Sequence, residues 1–565
     1  MAITRRSVLR SAVAAGAVAA LGVDRSAAAS AMPQKVPGVD VLVVGGGTGG
    51  VAAALALLQG GRTVVLTEPT GWVGGQLTSQ AVPPDEHSWI EEGIGATRLY
   101  LDMREMARQY FKDYYPVTKK ARDAARLDPG QHWSLRLSLE PFIWHEVLRG
   151  MLEPYLASGR LRLLLNSRPI SATRSGKVVT EVRFATPKGE QVVRPRYVVE
   201  ATELGDLLPL ANIPHIVGRE KGGAGNGGTG ELHNPWDYAD PMCQQAFTVV
   251  AAVGYTPTRL GEPVRSPLFK EFEPIYRTFG RNGRDVFDPS RNWLWNEGRN
   301  FWQYRRARYA GHLVDRGFGD ITLLNQPEND CLDLLLPAAG PTDPRAFAAT
   351  VTRGEEQTRG LVEYFQRAHP RPDGKGNGWS RLFLAPSSVG SATGLALYPY
   401  IRESRRILSH RPILEFHVGV DARQARFPGA KTAHTFSQSV GIGAGPIDIH
   451  TTAAYPHGLH IPTYPFQIPL GALVPREVTN VLVGGKAIGT THITNGCYRY
   501  HPVEWNIGES AGHALAFALN RNLQPTSLLT SAPTFAQFAT YLDRRGVQRN
   551  WPTSIRPKLV ASLAD

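Results

Sequence analysis

The stretch that most restricts what this chain can fold into is Val39-Asp40-Val41-Leu42-Val43-Val44, followed at once by Gly45-Gly46-Gly47-Thr48-Gly49-Gly50. A short, nearly continuous apolar run rich in β-branched residues is what a strand buried on both faces of a parallel sheet requires. The glycines fall in the pattern GxGxxG at Gly45, Gly47 and Gly50, and an Ala/Leu-rich helical segment follows. That pattern carries weight only between a strand and a helix, which is where it stands. Gly45 permits the tight turn, Gly47 lets the backbone approach a pyrophosphate, and Gly50 lets the helix pack close to the strand. The helix N-terminus offers free N–H groups and the positive end of its dipole to phosphates. A second strand over 63–67 leads to Glu68. An acid there suits the two hydroxyls of an adenosine ribose and repels a 2′-phosphate. Residues 40–68 therefore predict a βαβ unit for a dinucleotide other than NADP.

Two further stretches favour FAD over NAD. Gly71-Trp72-Val73-Gly74-Gly75-Gln76 comes directly after Glu68, and a second glycine pair lets the backbone run close to a large cofactor. An apolar strand over 197–201 ends in Ala201-Thr202, with the turn Gly205-Asp206 just beyond, as in a returning strand beneath the ADP half of a flavin. There is one dinucleotide fingerprint, so a second, NAD(P)H-binding domain is not expected. On these residues the chain resembles the glutathione-reductase-like flavoprotein superfamily and, within it, a bacterial FAD-dependent oxidoreductase family. Other matching pieces are Arg402-Glu403-Ser404-Arg405-Arg406, Ile447-Asp448-Ile449-His450, the stretch 480–489 ending at Gly489, Thr491-His492 and 508–512. The resemblance implies a noncovalent FAD whose ribityl and flavin portions lie under the C-terminal segment. In one respect the chain departs from it. Many relatives carry an acid by the late strand for the ribityl chain, whereas Val483-Gly484-Gly485-Lys486-Ala487-Ile488-Gly489 has none.

Buried-strand and small-residue helix patterns return at 478–484 and 504–520, after a long middle region rich in aromatics, Pro and Arg. The fold class read from this is α/β: a Rossmann-type FAD-binding domain assembled from N-terminal and C-terminal segments, with an inserted α+β substrate domain. The boundaries are 38–242 and 456–525 for the two parts of the first domain, 243–455 for the insert, and 526–565 for a C-terminal extension. Helices are predicted over 91–115 and 141–157, and short strands over 160–165, 178–185 and 191–194. The glycine-rich stretch 221–230 has no strand in front of it and reads as a loop.

Residues 1–31 read as an address. Arg5-Arg6 precedes the apolar run 11–23, and Ala29-Ser30-Ala31 suits cleavage. The segment resembles a twin-arginine export signal, with Val8 and Arg10 where Phe and Lys are common. The apolar run is too short to span a membrane. A route that carries folded proteins suits one that traps a cofactor within its fold. The expectation is a secreted or cell-envelope exterior protein that meets the export machinery and a small-molecule substrate and has no stable membrane anchor. The net charge of +13 is spread along the chain, without the basic stripe and aromatic platforms of a nucleic-acid binder. Three cysteines, Cys243, Cys331 and Cys497, make no disulfide framework and no zinc pair. With no HExxH and no clustered ligands, no metal is expected.

The superfamily aims a helix N-terminus at the flavin pyrimidine edge, where reduced flavin carries negative charge. The turn 501–506, with Pro502 suited to a first helical turn, leads into such a helix. Backbone N–H groups near Trp505, Asn506, Ile507 and Gly508 are expected to contact the flavin. Oxidation by hydride transfer to flavin N5 is eased by a base, and His is the natural one at neutral pH. The candidates are His492, His501 and His450, the last two residues from Asp448 and so on the same strand face as an orienting acid. Asp85-Glu86-His87 lies either by the flavin or in a solvated loop. Arg402 grips a carboxylate or a flavin carbonyl, or pairs with Glu403. Lys486 stands where some amine-oxidising flavoenzymes place a lysine, and Cys497 and His87 are the positions where a covalent flavin is conceivable. The expected function is that of an exported FAD-dependent oxidase or dehydrogenase. It takes a hydride from a sugar, alcohol or amine and passes electrons to oxygen or another acceptor. The alternatives are a flavin monooxygenase, a dehydrogenating tailoring enzyme, and a non-redox dinucleotide-binding lyase or isomerase.

Overall fold

In the computed structural model the apolar run forms strand β1 (Val39–Val44), and the side chains from Val41 to Val44 are shielded from solvent. The structure describes residues 34–35 and 38–563, except 134–135, 225–226, 257–259, 282–283, 289–299, 334 and 337–342. The expected export signal therefore lies outside the described residues, as does part of the glycine-rich loop 221–230. Helix α1 (Thr48–Gln59) and strand β2 (Val64–Thr67) complete the βαβ unit. Helices α2 (Arg98–Tyr114) and α3 (Pro141–Ala157) and strands β3 (Leu161–Leu164) and β4 (Pro195–Glu200) follow. α3 takes the predicted bounds because Pro141 suits its first turn. α2 starts later than predicted: Ser88–Glu92 is a separate 3-10 turn, stopped by Gly93 at φ +75°, and Thr97 caps the new helix by accepting from the Tyr100 N–H.

The middle of the chain contributes strand β5 (Ala251–Tyr255), strand β6 (Asp320–Leu324), helix α4 (Pro344–Arg367) and strand β7 (Leu382–Leu384). The return segment contributes β8 (Ile447–Ile449), β9 (Leu459–Ile461), β10 (Val481–Val483), α5 (His492–Tyr498) and α6 (His501–Asn520). β10, β4, β1, β2 and β3 form one parallel sheet in that order. Its edge strand β10 comes from the C-terminal part of the chain, with Leu482 opposite Val199. The fold is thus a Rossmann-type α/β unit built from both ends of the chain. A second, antiparallel sheet runs Arg306–Arg308, β6, β5, β7 and packs against other parts of the insert.

The middle of the chain contributes to more than one core. The aromatic core around Phe247, Phe279, Leu361 and Phe365 draws residues from Leu204 to Ile401. Ile407, Ile413, Val440, Ile447 and Ile449 instead join the core of the parallel sheet. Residues 407–455 thus share an aromatic- and Pro-rich composition with the insert but not its core. Composition does not say which core a strand joins.

α1 and α6 cross with their backbones in contact. A Cβ on Gly508 would come within 1.9 Å of the Gly49 carbonyl oxygen, so this crossing excludes any side chain there. α6 begins at His501, three residues earlier than expected. Among the described residues no helix is long and apolar enough to cross a membrane.

Candidate functional site

The glycine turn is held from below and from the side. Gly45 has φ +99°, and a Cβ on it would meet the Ala201 carbonyl oxygen at 2.3 Å. The second glycine pair docks on the first: Gly74 N–H donates to the Gly46 carbonyl at 2.7 Å, and Thr48 Oγ1 donates to the Gly74 carbonyl at 2.9 Å. No side chain caps α1, whose N-cap is Gly47, so its N-terminus is open to an anion. Gly50 packs on the Gly45 carbonyl and Ala201, as the fingerprint requires.

Glu68 stands at the end of β2. Its Oε2 accepts from Gly46 N–H at 3.2 Å and its Oε1 from Thr70 N–H and Oγ1 at 3.0 and 2.7 Å. Burial pushes its carboxyl up to about 8. Glu200, beneath Thr202, is pushed up to about 8 for the same reason; it accepts from Thr202 N–H and Oγ1 and from Leu207 N–H. Gly205, at φ +67°, turns the chain away, and Asp206 meets Arg405 at 3.4 Å rather than the glycine turn. Gly489 is also a packing position: its N–H donates to the Ala472 carbonyl, and a Cβ would meet Ser409 Oγ.

The missing acid near the late strand comes from elsewhere. Lys486, fully buried, pairs with Glu203 and lies 3.9 Å from Glu504 of α6. Glu203 Oε1 has no hydrogen-bond partner and lies over Gly47 and Gly75. Gln76 Nε2 donates to Glu504 and, at 3.0 Å, to the Arg499 carbonyl, while its Oε1 has no partner. These residues fit FAD. An uncapped helix N-terminus over a glycine turn suits a pyrophosphate. The orphaned oxygens of Glu203 and Gln76 suit the hydroxyls of a ribityl chain.

The expected flavin contacts on α6 are corrected. Because the helix starts at His501, the N–H groups of Trp505, Asn506, Ile507 and Gly508 lie inside its hydrogen-bonded ladder. The Trp505 indole donates to Glu509, Asn506 Nδ2 faces the Ile442 carbonyl, and Gly508 meets α1. The open N-terminus instead carries His501 itself. Asp85 N–H donates to His501 Nδ1 at 2.9 Å, so the neutral ring holds its proton on Nε2, which is buried and without a partner. Burial pushes the imidazole down to about 3, against the pull of Asp85. His501 is therefore a neutral donor at pH 7 and not the base expected. Beside it Arg305 pairs with Asp85 at 3.2 Å, while its Nε and Nη1 have no partner.

A polar chain continues from there toward the insert. Arg499 donates to the Tyr400 hydroxyl at 2.6 Å and to Asp448 Oδ2 at 2.7 Å. His450 Nε2 lies 3.5 Å from Asp448 and its Nδ1 lies 2.6 Å from Asp330. Asp448 and His450 do meet, as their spacing predicts. Asp330 also holds Arg402 at 3.0 Å, so Arg402 pairs with neither Glu403 nor a neighbour in its own run.

His492 belongs elsewhere. It is fully buried, with Nδ1 2.9 Å from Glu403 Oε1 and Nε2 4.0 Å from Cys243 Sγ. Burial would lower its imidazole, but the Glu403 carboxylate and the Cys243 contact raise it to about 10. A ring held protonated is not a base at pH 7. Asp85, Glu86 and His87 are all buried rather than solvated, and they diverge. Glu86 pairs with Arg104 at 2.8 Å, and His87 packs between Trp89 and Trp551 with centroids 5.6 and 5.4 Å away. Cys497 Sγ donates to the Thr494 carbonyl of its own helix at 3.4 Å. Among the described residues no group of His, Cys, Asp and Glu is placed to hold a metal.

Glu203, Arg305, Tyr400, Arg499 and Glu504 were not singled out from the sequence. Glu203 had a signal, its place in the Ala201–Asp206 motif, and Arg499 stands between two selected histidines. Arg305 had none, since it reaches Asp85 across 220 residues of chain. A cavity of about 490 Å³ lined by Leu260, Val264, Phe383 and Leu384 shares no residue with this site.

The family described as FAD dependent oxidoreductase matches residues 40–541. No curated protein matches the chain. Among solved structures, L-proline dehydrogenase from P.horikoshii matches at 17% identity and TM-score 0.18, over 33% of this chain and 24% of that one. OxyS anhydrotetracycline hydroxylase from Streptomyces rimosus matches at 17% and 0.22, over 41% and 39%. The p-nitrophenol 4-monooxygenase PnpA from Pseudomonas putida DLL-E4 matches at 12% and 0.33, over 92% and 91%. The chain thus spans less than half the length of the first two, and at these scores none of the three bears on substrate.

Proposed function

This chain belongs to the FAD dependent oxidoreductase family, and we propose that it is a bacterial, exported enzyme of the glutathione-reductase-like superfamily that oxidises a small, oxygen-rich substrate such as a sugar or alcohol. FAD, which is its cofactor, supplies a two-electron acceptor when bound. The observation that carries the substrate reading is the pair of buried donors beside the cradle: His501 Nε2 and the Nε and Nη1 atoms of Arg305. A buried donor without a partner costs roughly 1–3 kcal/mol, which an acceptor oxygen on a ligand removes. Asp85 fixes both groups, through its N–H to His501 and its carboxylate to Arg305. In this reading Arg305 and His501 orient the substrate oxygens, and the lower rim of Gln76, Lys486, Glu203 and Glu504 faces the cofactor. His450, the third expected histidine, has Asp330 on Nδ1 and Asp448 on Nε2, so in this reading it is a donor that orders the polar chain rather than the base. The substrate and the export machinery are the expected partners, and the exterior of the cell the expected location.

The test is anaerobic. The purified mature protein, shown by its absorbance to carry flavin that acid precipitation releases, is mixed in turn with sugars, simple alcohols and amines. Bleaching by an alcohol or sugar, weakened through a raised KM in Arg305→Met, is the expected result. Bleaching by amines alone, or by no compound without an added reductant, overturns the reading. The address is tested separately: Arg5→Lys with Arg6→Lys should leave the precursor inside the cell.

A further inference from the structure

Outside the cofactor cradle, three buried residues from distant parts of the chain line up as thiol, imidazole and carboxylate. Cys243 Sγ lies 4.0 Å from His492 Nε2, and His492 Nδ1 lies 2.9 Å from Glu403 Oε1. Glu403 is fixed by Arg406 and by the N–H of Gln245, which donates at 3.1 Å. The His492 ring is fixed by stacking on Tyr455, with centroids 5.8 Å apart and planes 14° from parallel. Cys243 Sγ has a second partner in Thr452 Oγ1 at 3.4 Å. A carboxylate on one ring nitrogen and a sulfur on the other is the arrangement in which an imidazole takes a thiol proton and keeps it.

The other two cysteines provide the contrast. Burial dominates at Cys331, pushing its thiol up to about 12, and it pushes the Cys497 thiol up as well. Burial also works against the Cys243 thiolate, yet contact with His492 brings that thiol below its ordinary range. All three are buried and none is in a disulfide. Cys243 is closed to bulky molecules. The nearest small cavity, about 10 Å³ and roughly the room of one water-sized molecule, is lined by Gln245, Leu336, Arg402 and Glu403 and so meets the row at its carboxylate end, not at the sulfur.

We propose that Cys243 is a reactive thiolate site whose substrate is a small hydroperoxide, hydrogen peroxide being the simplest. The thiolate attacks one peroxide oxygen and the O–O bond breaks. That oxygen, with its hydrogen, stays on sulfur as a sulfenic acid. The other leaves as hydroxide and takes the proton from His492, giving water. Sulfur loses two electrons and the peroxide gains them. Glu403 is a positioning residue, holding the imidazolium toward the sulfur.

The intact holoprotein tests this. It is exposed to hydrogen peroxide for set times, quenched with catalase and unfolded in dimedone, so that a buried sulfenic acid is trapped regardless of access. The three cysteines are then read by peptide mass spectrometry. Cys243 is expected to be labelled at least about tenfold faster than Cys331 and Cys497. His492→Asn is expected to bring it down to their rate, and Glu403→Gln to slow it. Equal rates at all three cysteines in the unaltered protein overturn the proposal, with no variant needed. An unchanged Cys243 rate in a folded His492→Asn protein overturns it as well.

Discussion

Glu200 shows how one buried side chain ties the cradle to pH. Burial holds its carboxyl at about 8, above the ordinary 4.5, so the folded state prefers it neutral. The stabilising contribution is complete below the ordinary value and is lost as pH rises through about 8. Glu200→Gln has no such ionisation. The unfolding free energy of the variant is therefore expected to climb relative to the parent between pH 5 and pH 9, by an amount on the order of a few kcal/mol. Urea titrations at several pH values check this, and a constant difference would refute it. Gly45 is the other decisive position. Ala there would combine a positive φ with a contact to Ala201 too close for any carbon, so desalted Gly45→Ala is expected to lose its flavin absorbance. Such glycines were legible because sterics at one residue demand them. His501 was legible only as a histidine; its tautomer depends on Asp85, 416 residues away.

The elements read well where their signals are local and poorly where two signals compete. β1 and α3 took the expected bounds because each has an unbroken apolar pattern, and α3 has Pro141 to start it. For α6 the same kind of proline, Pro502, lies in the first turn, as its residue type predicts, but the flavin contacts expected over 505–508 fall a full turn beyond the open N–H groups at the start of the helix. The α1–α6 crossing yields a paired prediction. Gly508→Ala puts a Cβ against the Gly49 carbonyl and is expected to cost about 1–3 kcal/mol of overpacking. Gly150→Ala, on α3 with nothing within 4 Å, is expected to stabilise by about 1 kcal/mol through helix propensity. Chemical denaturation of the two variants reads both, and similar effects in the two would show that the crossing is not tight.

For the molecule as a whole, β10 and α6 arrive from the far end of the chain to finish the sheet and cover α1. A fragment of residues 38–242 lacks both and exposes the apolar edge of β4. It is expected to show no cooperative unfolding and no flavin binding, whereas the full chain shows both; calorimetry and flavin absorbance decide. The βαβ unit, the fold class and FAD were legible along the chain, because strand, glycine turn and helix are contiguous and answer to local sterics and the helix dipole. So was the Asp448–His450 meeting, since two residues on one strand face are neighbours by geometry. Folding in three dimensions is what brings Ile407, Val440, Ile447 and Ile449 into the core of the parallel sheet, sets Glu203 and Glu504 around Lys486, lets Arg305 and His501 share Asp85, and turns His492 toward Cys243. Each of these joins residues far apart in the chain. A buried charge needs a partner, but nothing local says which distant one the path of the chain will bring.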